Sequence, residues 1–215
     1  MERSERTRAA ITGLYPIIDT TYVGTSEIKE CAEVIARSGV NVLQLRGKGL
    51  GSKELLRAAE EVREVTLKAG ISFIVNDRVD VALMVGADGV HLGQSDLPIS
   101  EARSLLGKEK IIGLSCHNVA EAKEAAKLSA DYISIGPIFK TRTKGDAEEP
   151  KGTRGLSEVA EIGLPLPVVA IGGISAVEIP ELLGAGTNAV AIISEILLSE
   201  NMAETLSAII KTIRR

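Results

Sequence analysis

The chain has 215 residues, 45% of them hydrophobic and 25% charged, and only five are aromatic. Such a balance suits a globular domain, but so few rings exclude the stacking rows on which RNA-recognition sheets and single-strand binders depend. A net charge of -4 removes the basic footprint that a nucleic acid or an anionic membrane surface would need, so a small-molecule partner fits better. Cys31 and Cys116 lie far apart and match no disulfide or zinc spacing, which points to a reducing, cytoplasmic setting. The opening MERSERTRAAITG lacks the apolar stretch of a signal peptide, and no apolar run approaches the roughly 18 residues of a membrane span.

In chain order, short β-branched runs predict strands at 14–19, 40–46, 72–75, 89–92, 111–114, 132–135, 168–171 and 189–193. Most are continuous apolar runs, the pattern of parallel strands covered on both faces. Helical stretches fill the gaps; Leu55, Ala59, Val62 and Val65 make one apolar stripe among Lys53, Glu60, Glu61, Arg63 and Glu64. Eight β/α units in a chain of this size predict a single-domain (β/α)8 barrel over residues 1–215, with a doubly wound sheet as the alternative. Residues 1–12 are polar enough to form a fraying extension. No linker or composition shift divides the chain. The longest patternless connection runs from Gly136 to Gly155, GPIFKTRTKGDAEEPKGTRG.

A barrel of this kind carries its active site at the C-terminal ends of the strands, and the unusual polar residues fall there. In QLRGKG, Gln44, Arg46 and Lys48 are spaced by two and project to one side of an extended strand; two cations and an amide suit an oligo-anion, while a solvated strand end with a salt bridge explains them equally well. Asp77 and Asp96 follow strands three and four, where two hard carboxylates suit Mg²⁺; the competing reading makes each an N-cap for the next helix. Thr141, Thr143 and Lys144 give the long loop the chemistry of a lid, or of a solvated turn. IGGIS and AIISE, after strands seven and eight, suit a phosphate cradle of backbone N–H groups. His91 reads as a core or wall residue and His117 as a turn residue, and Cys116 beside Ser115 lacks a recognisable base, so acyl chemistry ranks low.

LYPIID at the first strand, QLRGK at 44–48, NDRVDVALMVGADGVHLGQSDLP at 76–98, SCHN from 115, GPIFKTRTK at 136–144, IGGI at 171–174 and AIIS at 191–194 together resemble the thiamine-phosphate synthases, in the family's order and over nearly the whole chain. The resemblance implies an Mg²⁺-dependent transferase of thiamine biosynthesis, with one ion per subunit. It joins a hydroxymethylpyrimidine diphosphate to a thiazole phosphate, plain or carboxylated, and releases pyrophosphate. By motif, Gln44, Leu45, Arg46, Gly47, Lys48, Asn76, Ser115 and Lys144 would contact the pyrimidine diphosphate, with Arg46, Lys48, Ser115 and Lys144 catalytic. Asp77 and Asp96 would hold the metal. Thr141, Arg142, Thr143, Gly173, Ile193 and Ser194 would bind the thiazole phosphate.

The chain departs from the family at Gly47, where an acidic residue is more usual, and at Lys140, where proline commonly precedes the threonines. A thiazole tautomerase or a silent thiazole-phosphate-binding relative on the same barrel is the alternative, but neither needs the aspartate pair or the TRTK segment. The expected partners are small phosphorylated molecules, with no nucleic acid or membrane, and a homo-oligomer is compatible. Of the few rings, Tyr22 and Phe139 are expected on the functional side, leaving ring recognition to Gln44 and aliphatic walls.

Overall fold

The continuous apolar runs conceal an alternation that only the closed sheet makes visible, because one face of every strand meets helices and the other meets the barrel axis. A computed structural model describes residues 3–141 and 149–214. In chain order it contains α1 (Arg3–Ala10), β1 (Gly13–Asp19), α2 (Ile28–Arg37), β2 (Val42–Arg46), α3 (Ser52–Ala69), β3 (Ser72–Asn76), α4 (Val79–Met84), β4 (Gly89–Leu92) and α5 (Ile99–Leu106). It continues with β5 (Ile111–Cys116), α6 (Val119–Lys127), β6 (Tyr132–Ile135), α7 (Gly152–Glu161), β7 (Val168–Ile171), α8 (Ile179–Gly184), β8 (Ala189–Ile192), α9 (Ser194–Leu197) and α10 (Met202–Ile213). The eight parallel strands close in sequence order, with β8 paired to β1, which is the expected (β/α)8 barrel and excludes the open, doubly wound sheet. Strand ends differ from expectation by one or two residues.

Two apolar layers hold the barrel. Leu43, Leu45, Phe73, Val75, Val90, Leu92, Ile133 and Ile135 face outward and pack with the helix stripes, including Leu55, Ala59, Val62 and Val65 of α3. Tyr15, Ile17, Val42, Ile74, Ile111, Tyr132, Val169 and Ala189 fill the axis. At about 1.5–3 kcal/mol for each fully buried Leu, Ile, Val or Phe, these layers supply the main driving force for folding. Ala10 and Ile11 belong to the axial cluster, so the polar extension does not simply fray: α1 ends by closing the bottom of the barrel.

The N-terminal face is built for stability. Asp88 Oδ2 accepts the Phe73 N–H and an Arg63 N–H, at 2.8 and 2.7 Å. Asp131 Oδ2 likewise accepts the Ile112 N–H and an Arg103 N–H, at 2.8 and 2.5 Å. Each carboxylate thereby ties a helix to the start of a strand. No described helix is long and apolar enough to cross a membrane.

Candidate active site

At the opposite, C-terminal face the inward positions change from aliphatic to polar and surround a cavity of about 280 Å³. A smaller cavity of about 20 Å³ lies against Tyr15, Gln44, His91 and Tyr132, with Arg46, Asn76 and Ser134 lining both. Arg46 and Asp19 end neighbouring strands in register, and Arg46 Nη1 donates to Asp19 Oδ2 at 2.6 Å. Asp19 Oδ1 also accepts the Thr21 N–H at 2.9 Å. Both side chains are buried, yet Arg46 Nε has no hydrogen-bond partner among the described residues. A buried guanidinium with a donor to spare suits an anion entering the cavity.

Lys48 stands higher on the wall and reaches Asp77 Oδ2 at 3.7 Å. Asp77 adopts a left-handed backbone conformation with φ 63°, costly for a residue other than glycine. Its N–H is held by the His91 carbonyl at 2.8 Å. Burial first, then hydrogen bonding and repulsion from Asp96, push the Asp77 carboxyl up to about 6, against the pull of Lys48 and Arg46. Asp96 Oδ2 accepts the Gly93 N–H at 2.7 Å and braces the loop after β4. Neither aspartate is a helix cap: α4 starts after Arg78 and α5 after Pro98, both without a side-chain cap.

The far wall is formed by Gly172, Gly173, Ile193 and Ser194. Gly173 combines φ +65° with a position where a Cβ would stand 2.5 Å from the Lys140 carbonyl oxygen, so glycine is needed for the loops after β6 and β7 to meet. Ser115 lies on the wall between the two sets and is joined through its Oγ to His91 Nε2 at 2.9 Å.

The barrel thus brings Arg46, Lys48, Asn76, Asp77, Asp96, Ser115, Thr141, Gly173, Ile193 and Ser194 around one space. Gln44 sits lower, beside the small cavity, where its Nε2 donates to Tyr15 Oη at 2.9 Å. The Leu45 side chain does not face the ligand space: alternation along β2 turns it into the helix-facing layer, leaving only its backbone to the site. Gly47 lies against that outer side as well, since a Cβ there would meet Leu55 Cδ1 at 2.7 Å. Arg142, Thr143 and Lys144 lie outside the described residues.

Four features go beyond the sequence reading. His117 lines the cavity rather than serving only a turn, and its Nδ1 pairs with Glu121 Oε2 at 2.9 Å. Tyr22 and Phe139 follow β1 and β6 at the C-terminal face, as expected, but pack against the axial cluster and the outer core, while Tyr15 and Tyr132 line the small cavity. Asp19 was not singled out, although an aspartate ending an apolar strand was a usable signal. Cys116 lines the cavity, but burial pushes its thiol up to about 12, which withholds the thiolate that a nucleophile would need.

The described fold agrees with what the chain is similar to. Residues 14–196 match the family model described as thiamine monophosphate synthase. The thiamine-phosphate synthase of Clostridium novyi is 42% identical over 189 residues, covering 88% of this chain and 92% of that protein. That of Methanoculleus marisnigri is 44% identical over 184 residues, with 86% and 87% coverage. Among solved structures, a thiamine phosphate pyrophosphorylase from Pyrococcus furiosus superposes with a TM-score of 0.83 at 33% identity, covering 98% of each chain. A 3-hexulose-6-phosphate synthase shares the fold alone, with a TM-score of 0.68 at 17% identity. A match spanning the barrel from its first strand to the helix after its last, with relatives above 40% identity over most of their length, places this chain in the thiamine monophosphate synthase family.

Proposed function

We propose that the protein is a thiamine-phosphate synthase, joining a hydroxymethylpyrimidine diphosphate to a thiazole phosphate with release of pyrophosphate. The observation that carries this reading is the convergence of a buried arginine holding a spare donor, a lysine and an aspartate pair on one cavity. In the reaction, the C–O bond at the pyrimidine methylene breaks and its electron pair leaves on the diphosphate. The lone pair of the thiazole nitrogen forms the new C–N bond. No proton transfer to the protein and no covalent enzyme intermediate are required.

The side chains have electrostatic work in this scheme. Arg46 and Lys48 disperse charge growing on the leaving diphosphate, Lys144 has the same role by motif, and Ser115 offers a hydroxyl. Asn76 and Gln44 orient the pyrimidine. Thr141, Arg142, Thr143, Gly173, Ile193 and Ser194 hold the thiazole phosphate. Asp77 and Asp96 fit Mg²⁺ by the chemistry of the donors: hard carboxylate oxygens close enough to raise the proton affinity of one, with no cluster of three or more His, Cys, Asp or Glu suited to a metal among the described residues. That shortage leaves room for waters and phosphate oxygens in the ion's coordination, as Mg²⁺ prefers. When bound, the ion would supply positive charge beside the leaving diphosphate.

The test is to mix the purified protein with both substrates and Mg²⁺ and follow pyrophosphate and thiamine phosphate. Formation of both is expected, and Asp77→Ala should lower turnover sharply while the circular dichroism spectrum stays native. Absence of product with thiazole phosphate still bound would overturn the synthase reading in favour of a binding protein.

A further inference from the structure

Beneath the cavity, five side chains from β1, β2, β4, β5 and β6 form one continuous chain of hydrogen bonds. Gln44 Nε2 donates to Tyr15 Oη at 2.9 Å, and Tyr15 Oη meets Tyr132 Oη at 2.8 Å. Tyr132 Oη meets His91 Nδ1 at 2.9 Å, and His91 Nε2 meets Ser115 Oγ at 2.9 Å, with Ser134 Oγ beside it at 3.3 Å. Tyr15 and Tyr132 are fully buried, and the His91 ring stacks on Tyr132 with centroids 5.4 Å apart.

Proton counting gives this chain a direction. An amide nitrogen can donate but not accept, so the Tyr15 oxygen receives from Gln44; the hydroxyl pair itself allows either direction, and we assign Tyr15 as the donor because Tyr132 Oη is the acceptor that the described residues place within reach of the Tyr15 proton. The Tyr132 proton is then committed to His91 Nδ1. That leaves Nδ1 without hydrogen, puts the ring proton on Nε2, and makes Nε2–H a donor to Ser115 Oγ. Burial pushes both phenols well above their ordinary value, which keeps both protons in the chain at neutral pH.

We propose that His91 and Tyr132 are positioning residues: they run a one-way chain of donors from Gln44 to Ser115 and so fix the Ser115 hydroxyl as a donor into the cavity. Ser115 Oγ is occupied from behind by His91, and its own proton is turned toward the ligand, where a donor stabilises the leaving diphosphate and a lone pair would repel it. The catalytic consequence rests on the synthase reading above, whereas the tautomer does not.

The primary test is therefore made on the substrate-free protein. With two histidines in the chain, a long-range ¹⁵N–¹H spectrum of histidine-labelled protein gives two ring patterns, and a His117→Asn sample serves only to identify them. The expected result is a His91 ring protonated at Nε2 and bare at Nδ1. A ring protonated at Nδ1 would overturn the proposal, because it reverses every bond from Ser115 back to Gln44.

The second test is Tyr132→Phe, which deletes the donor to Nδ1 without touching the main cavity. It is expected to mix the His91 tautomers and to lower kcat about tenfold, with KM for both substrates nearly unchanged. A folded variant with unchanged kcat and an unchanged His91 spectrum would overturn the proposal. If that variant fails to fold, Tyr15→Phe removes the preceding donor and should give the same changes in smaller degree, while the wild-type spectrum stays decisive. An inactive wild type with the Nε2–H tautomer would sink the synthase reading and leave the relay standing.

Discussion

Asp19 and Arg46 end adjacent strands at paired positions and form a buried ion pair, 2.6 Å from Oδ2 to Nη1. The aspartate compensates a cation that would otherwise be stranded in the wall, and it holds the guanidinium of Arg46 beside the cavity that this residue lines. Removing one partner of such a pair typically costs about 3–5 kcal/mol, because an unpaired charge stays buried. Asp19→Ala should lose stability on that order in urea denaturation, and added diphosphate should restore part of it by engaging Arg46. A loss below about 1 kcal/mol would mean that Arg46 does not depend on Asp19.

Asp77 makes the substrate-free protein sensitive to pH. Its folded-state value of about 6 lies above the ordinary 3.8, so the native state holds a proton that the unfolded chain has already released. Stability therefore falls as pH rises from about 4 to about 6, by at most about 3 kcal/mol, and the full penalty remains at neutral pH. Asp77→Asn should remove this decline and melt higher than wild type at pH 7 without divalent ions. Magnesium should raise the melting temperature of the wild type but not of the variant, more strongly at pH 7 than at pH 5. Equal shifts in both proteins would place the ion elsewhere.

Gly113 leaves room for a ring. A Cβ there would lie 2.1 Å from Tyr132 Cζ, so Gly113→Ala must push Tyr132 away from its partners. The expected cost is about 1–3 kcal/mol of stability, measured by denaturation, together with a lower kcat. A variant as stable and as active as wild type would show that the ring can shift without consequence.

Gly173 belongs to the proposed thiazole-phosphate end of the cavity. Its backbone lies at φ +65° and a Cβ there would come within 2.5 Å of the Lys140 carbonyl oxygen, so Gly173→Ala separates the loops after β6 and β7. KM for the thiazole phosphate is expected to rise about tenfold, with KM for the pyrimidine diphosphate nearly unchanged. A rise confined to the pyrimidine diphosphate would reverse the assignment of the two ends of the cavity.

Most of the architecture was legible in the chain. Eight short aliphatic runs separated by amphipathic stretches reflect interactions local to each element, and the polar residues that end those runs, from Arg46 to Ser194, already marked one face. What the sequence left open was contact between strands. The two roles of aspartate before a helix differ by where the side chain points, and the left-handed turn at Asp77 and the Gly93 bond at Asp96 take both carboxylates away from the helix starts.

Leu45 read as part of a binding motif, yet the pleat turns its side chain away from Gln44 and Arg46 on either side. Tyr15 and Tyr132 are 117 positions apart, and no periodicity places their hydroxyls 2.8 Å from each other. The sequence by itself determined the strands, their order and the end of the barrel that carries chemistry, because burial and alternation act within an element. The tertiary structure alone decided which charges pair, which rings lie under the ligand space and how the protons are arranged there, because closing the barrel sets the distances between residues remote in sequence.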